Sequence, residues 1–194
     1  MSTNKVTTDV VTDLAITSAK LAANAVTLGK INPGAGITLA TEQASTSGTS
    51  IDFTGIPAGV KRITINLVGV STNGADPLYV RLGDSGGIEA SGYLSSAGGG
   101  SNGGTIITGL GLSSFLIVPT MAAASAYSGS VILSLENAST NMWVAHGIVI
   151  RTDSGAVWFS AGHKATSAVL DRVRVTTSNG IDTFDAGVIN IGYE

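Results

Sequence analysis

Ser85 and two histidines are the side chains of this chain best suited to covalent chemistry, and their order decides whether they can perform it. Ser85 lies within Gly83-Asp84-Ser85-Gly86-Gly87, the setting of a nucleophilic serine in one large class of hydrolases. That chemistry needs a histidine to take the hydroxyl proton and a buried aspartate to hold the imidazole in the right tautomer. With this pentapeptide both normally precede the serine. Here the only histidines, His146 and His163, follow it. The pentapeptide also trails the alternating run Leu78 to Leu82 and has the Asp, Ser and Gly content of a tight turn. A turn is expected, and no enzyme.

The other reactive groups are equally sparse. His146 shares the parity of Met142, Val144 and Ile148, which predicts a histidine in a core or an interface. In a trimer a residue near the axis occurs three times, and three imidazoles could hold a metal ion, but no metal or cofactor is assigned. His163, in Ala161-Gly162-His163-Lys164, reads as a loop residue. Of the carboxylates only Asp182 and Asp185 are close in sequence, and no stretch has the ligand spacing of a calcium loop. Gly98 to Gly104 could cradle phosphate if it opened a helix, yet Thr105-Ile106-Ile107 follows, so a mobile loop between strands is expected. Loops on rigid scaffolds carry contacts, and Tyr93 and Asn102, which flank or occupy this one, are the candidate receptor contacts.

Composition narrows the class. Charged residues make up 12% of the 194 positions, against roughly 25% in an average soluble domain. Glycine, with 26 copies, is about twice as common as usual. A chain so short of charge is expected to hide surface in an assembly. A net charge of -3 gives no electrostatic footprint for nucleic acid. There is no cysteine for disulfides or thiolate metal sites. Neither a signal peptide nor a stretch long enough to insert in a membrane is read, and a soluble protein is expected.

The residues before the first proline have a period of their own. Val6, Val11, Ile16, Leu21, Val26 and Ile31 recur every fifth position, and Ala15-Ile16-Thr17-Ser18-Ala19-Lys20-Leu21 aligns with Ala25-Val26-Thr27-Leu28-Gly29-Lys30-Ile31. On one helix, positions five apart step by roughly 140° around the circumference, and on one strand they alternate faces. Neither buries all six against one core. Several identical chains wound together would bury them in layers on a shared axis. Residues 1–35 are therefore expected to form a stem that mediates oligomerisation, and residues 36–50, which follow Asn32-Pro33-Gly34 and are rich in Ser and Thr, a linker.

Residues 51–194 read as one β domain. Ile63, Ile65 and Leu67, then Leu78, Val80 and Leu82, then Val131, Leu133 and Leu135 alternate with more polar neighbours, the period of a half-buried strand. Further strands are expected at 114–118, 142–151, 156–161, 170–176 and 187–193, with turns at Asn73-Gly74, Asn102-Gly103 and Asn179-Gly180. Ala122 to Tyr127 reads as a loop. The expected fold class is all-β: a jelly-roll-like β-sandwich behind an intertwined trimeric stem.

Several stretches carry a resemblance. Ile16-Thr17-Ser18-Ala19-Lys20-Leu21-Ala22 resembles the stem repeats of bacteriophage tail-fibre proteins, which wind as trimers. Phe53 to Thr64, Gly69-Val70-Ser71-Thr72-Asn73-Gly74 and Phe184 to Glu194 are similar to the C-terminal β domains of those fibres. The resemblance implies a homotrimeric virion protein, assembled in the host cytoplasm, attached to other virion proteins through its N-terminus and binding a host-surface glycan or protein. It identifies no receptor and no binding residue. The chain is shorter than typical fibres, which leaves open a purely architectural virion component, such as a capsid fibre or decoration protein.

Overall fold

The computed structural model describes residues 36–100, 104 and 106–194. The six stem positions Val6, Val11, Ile16, Leu21, Val26 and Ile31 lie outside the described residues, as does Asn102. Every regular element among the described residues is a strand. In chain order they are β1 (Thr38–Leu39), β2 (Gln43–Ala44), β3 (Ser50–Thr54), β4 (Arg62–Thr72), β5 (Leu78–Asp84), β6 (Gly87–Ile88) and β7 (Tyr93–Gly100). After these come β8 (Ile107–Gly111), β9 (Phe115–Val118), β10 (Tyr127–Asn137), β11 (Met142–Arg151), β12 (Ala156–Ala165), β13 (Arg172–Thr177) and β14 (Phe184–Tyr193). Among the described residues no helix is long and apolar enough to cross a membrane.

The strands form two antiparallel sheets. The large sheet runs β1-β14-β4-β10-β11-β12-β7-β8, with β2 also on β14; the small one runs β3-β13-β5-β6, with β9 sharing the β6 edge of β5. Alternation explains how they meet. Ile63, Ile65 and Leu67 of β4 and Val131 and Leu133 of β10 point one way from the large sheet. Phe53 of β3, Val80 and Leu82 of β5, and Val173 and Val175 of β13 point back from the small one. These side chains belong to one continuous apolar core. An inward face of this kind contributes about 25 cal/mol per Å2 of apolar surface removed from water.

Three expectations about elements are corrected. The segment 37–50 is part of the domain, because β1 and β2 pair with β14. Ala40 N donates to Ile191 O at 2.9 Å, Ser45 N donates to Gly187 O at 2.9 Å, and the Ser45 side chain is fully buried. Its polar composition reads as a linker because it is held by hydrogen bonds, from its backbone and from the Gln43 and Ser45 side chains, rather than by an alternating apolar face. The glycine run is also structural: Gly98, Gly99 and Gly100 are the end of β7, registered against Phe159, Trp158 and Val157. Gly99 has no room for a side chain, since a Cβ there would lie 1.9 Å from Val157 O. Finally, β12 continues to Ala165 and takes His163 with it, so that histidine sits on a strand and not in a loop.

The pairing of β14 with β4 needs glycine at one crossing. Gly187 has φ +94°, and a Cβ on it would fall 2.5 Å from the backbone of Gly69, which itself has φ +63°. The register shifts on either side of Ala186 mark bulges at this close approach.

Candidate interaction surface

Ser85 occupies the turn between β5 and β6, where Asp84 pairs with Gly87. Its neighbour Asp84 is 2% exposed, and its carboxylate is spent on structure. Oδ1 accepts from Gly86 N at 2.8 Å; Oδ2 accepts from Ser167 Oγ at 2.6 Å and from Ala168 N at 2.8 Å. The Ser167 hydroxyl and the Gly86 N–H hold the Asp84 carboxyl below its usual range, against the opposing effect of burial. The hairpin tip is thereby pinned to the β12–β13 connection. His146 and His163 stand on the outer face of the large sheet and Ser85 on a turn of the small one, so the pentapeptide is a turn in a strand-turn-strand unit.

Tyr93, expected on a recognition loop, is a core residue with 1% of its surface exposed. Its hydroxyl accepts from Leu82 N at 2.7 Å and donates to Glu89 O at 3.1 Å, linking the first strand residue of β7 to the small sheet. Phe115 meets the ring edge-on, with centroids 5.1 Å apart. Lys164, itself paired with Glu89, lies 5.4 Å over the ring centroid. Burial pushes the phenol up from its ordinary value. The assignment of Tyr93 as a receptor contact is corrected: an aromatic beside a glycine run reads as a loop residue, but β7 turns it inward.

The exposed chemistry lies elsewhere. The side of the large sheet that faces away from the core presents, on β11 and β12, Val144 opposite His163, His146 opposite Ala161, Ile148 opposite Phe159 and Ile150 opposite Val157. The parity of His146 is thus as expected, but that parity points away from the core, while Trp143, Ala145 and Val149 fill it. Phe159 is 57% exposed and Ile148 52%. Next to them β7 contributes Leu94, Ser96, Gly98 and Gly100, and β8 contributes Thr108 and Leu110, the latter 68% exposed. On the other flank β10 contributes Ser128, Ser130, Ile132 and Ser134. None of these positions is charged apart from the titratable histidines. Arg62, paired with Glu194, stands at the end of β4 beyond Ser134.

Phe159 divides the face into two shallow depressions. One, of about 380 Å3, is bounded by Gly98, Gly100, Ile106 and Val157; the other, of about 360 Å3, by Ser96, Thr108 and Ala161. A third concavity of about 410 Å3 lies at the rim, lined by Met121, Tyr127, Arg151 and Trp158. Its one cation is already forked onto Asp153, with Nε at 2.6 Å and Nη2 at 3.0 Å. Among the described residues no three His, Asp or Glu side chains gather as metal ligands. Asp76, Asn179 and Asp182 do cluster, but their hydrogen bonds tie the loop before β5 to the loop before β14.

One sequence signal marks the face: residues 90 through 135 contain no charged side chain. No protein-family model, no curated protein and no solved structure matches this chain.

Proposed function

We propose that this chain is a homotrimeric virion fibre protein, attached to the particle through residues 1–35 and contacting the host surface through its β domain, arranged in a jelly-roll-like manner. The observation that carries this reading is its two-part build. Six apolar residues at a spacing of five precede an all-β domain whose exposed face is nearly free of charge. Such a stem needs identical partners to bury its layers, and such a face needs a partner of some kind to leave water. The resemblance of both ends to phage tail fibres supplies the biological setting.

A second reading, an architectural virion component with no receptor, is favoured by the aliphatic character of the face, which suits protein contacts within a particle. Immunogold electron microscopy of virions and retention of the pure protein on host cells separate the two. A fibre tip labels the virion and binds cells; an architectural component labels the virion and leaves cells bare. Absence from purified virions overturns both.

A further inference from the structure

We propose that the outer face of the large sheet is where copies of this chain pack against one another, with His146 and Phe159 inside the contact. This rests on the homo-oligomeric part of the reading above and adds a contact in which like faces of two copies meet, which a three-fold stem by itself does not provide.

Size comes first. Strands β10, β11, β12, β7 and β8 lie side by side, and at about 4.8 Å per strand and 3.4 Å per residue they offer on the order of 800 Å2. That matches the roughly 800 Å2 per partner of a stable interface. Chemistry comes next. Nucleic acid would require Lys and Arg on this face, and the cations at its rim, Arg62 and Arg151, are each already paired with a carboxylate. A contact between like surfaces has the opposite need, since any net charge on the face would meet itself.

Relief identifies a second copy as the occupant. The outward side chains of β11 and β12 form an apolar ridge of Val144, Ile148, Ile150 and Phe159. Beside that ridge the adjacent strands are low: β10 presents Ser128 and Ser130 next to Ile150 and Ile148, and β7 presents Gly98 and Gly100 next to Phe159 and Val157, while Ile132 and Leu94 stand beside the histidines. A Cβ on Gly98 would sit 3.1 Å from Thr108 Cγ2, so a side chain there would require that methyl to give way. One surface therefore carries both ridge and trough, the requirement for packing on its own kind. The unguarded edge strand β8, with neither charge nor proline, continues the same surface.

The test is sedimentation of the full chain at micromolar concentration, with Ile148→Asp and the milder Phe159→Ser, each checked by circular dichroism. The expected result is an oligomer for the unaltered chain, at least a tenfold weaker association for each variant, and unchanged strand content. An oligomer equally strong in folded Phe159→Ser overturns this inference and leaves the oligomeric reading standing. If folded Phe159→Ser stays oligomeric but no longer adheres to cells, the face meets a host glycan instead, which also overturns it. A monomeric unaltered chain overturns both readings together.

Discussion

On the small sheet, the side chains pointing away from the core include Asp52, Arg81, Arg172 and Arg174; on the large sheet the corresponding positions hold Val144, Ile148, Ile150 and Phe159. Both faces come from the same period-two backbone. On the small sheet, Arg174 stands between Arg81 and Asp52 and forks onto the carboxylate of Asp52 at 2.7 and 2.6 Å, which raises the guanidinium pKa further. Apolar-in and charged-out is how an antiparallel sheet meets water. On β11 of the large sheet both parities are apolar, with Trp143, Ala145 and Val149 inward and Val144, Ile148 and Ile150 outward. The difference teaches that burial in one chain explains only the inward half of the large sheet, and it is the outward half that the proposed contact between copies would bury.

The largest effect should separate inward from outward residues within that sheet. Leu133→Ala removes a fully buried side chain from β10 and should cost about 2–5 kcal/mol, read as a lowered urea midpoint. Ile148→Asp, one strand away and pointing outward, should leave the midpoint of the monomeric unit within about 1 kcal/mol. A large loss there would mean that the face is structural.

Asp84 tests the hairpin of the small sheet. Asp84→Ala removes three hydrogen bonds to a buried carboxylate and should cost about 1–3 kcal/mol. Because the folded carboxyl titrates below its unfolded value of about 3.9, its contribution is present above pH 4 and is lost as pH falls through the folded value. A plot of stability against pH should therefore drop less steeply below pH 4 in Asp84→Ala than in the unaltered chain. Equal slopes would remove Asp84 from the account.

Smaller effects are expected on the charged face. Arg174→Ala breaks a half-exposed ion pair and should cost about 1 kcal/mol or less, shrinking in salt, with sedimentation unchanged. Weaker association in this variant would move the interface to the small sheet. Ser85→Ala should change stability by less than about 0.5 kcal/mol and leave any activity untouched. Labelling of Ser85 by a serine-directed phosphonate would restore the hydrolase reading.

Much of the β framework is legible in the sequence, and its failures have physical causes. In β4, β5 and β10 only one parity is strongly apolar, so strand and buried face are both readable. In β11 both parities are apolar, Trp143, Ala145 and Val149 against Val144, Ile148 and Ile150, and periodicity cannot choose which set faces the core. β7 hides because glycine has no side chain to alternate, and that disguise makes Tyr93 resemble a loop aromatic. β1 and β2 hide because their partner, β14, lies at the other end of the sequence. The face itself is announced by the uncharged run from 90 to 135, though its extent emerges only once β11 and β12 stand beside β7 and β10.

The imidazoles of His146 and His163 give the most direct test, because both are exposed in the single chain and stand on the face, His146 in the middle of β11 and His163 toward the end of β12. Diethyl pyrocarbonate modification at neutral pH, read by mass spectrometry across a dilution series, reports each of them without any substitution. The account requires both histidines to be protected at high concentration and to gain reactivity together as the oligomer dissociates. Imidazoles that react at the rate of an unfolded control, at concentrations where the protein sediments as an oligomer, would contradict it.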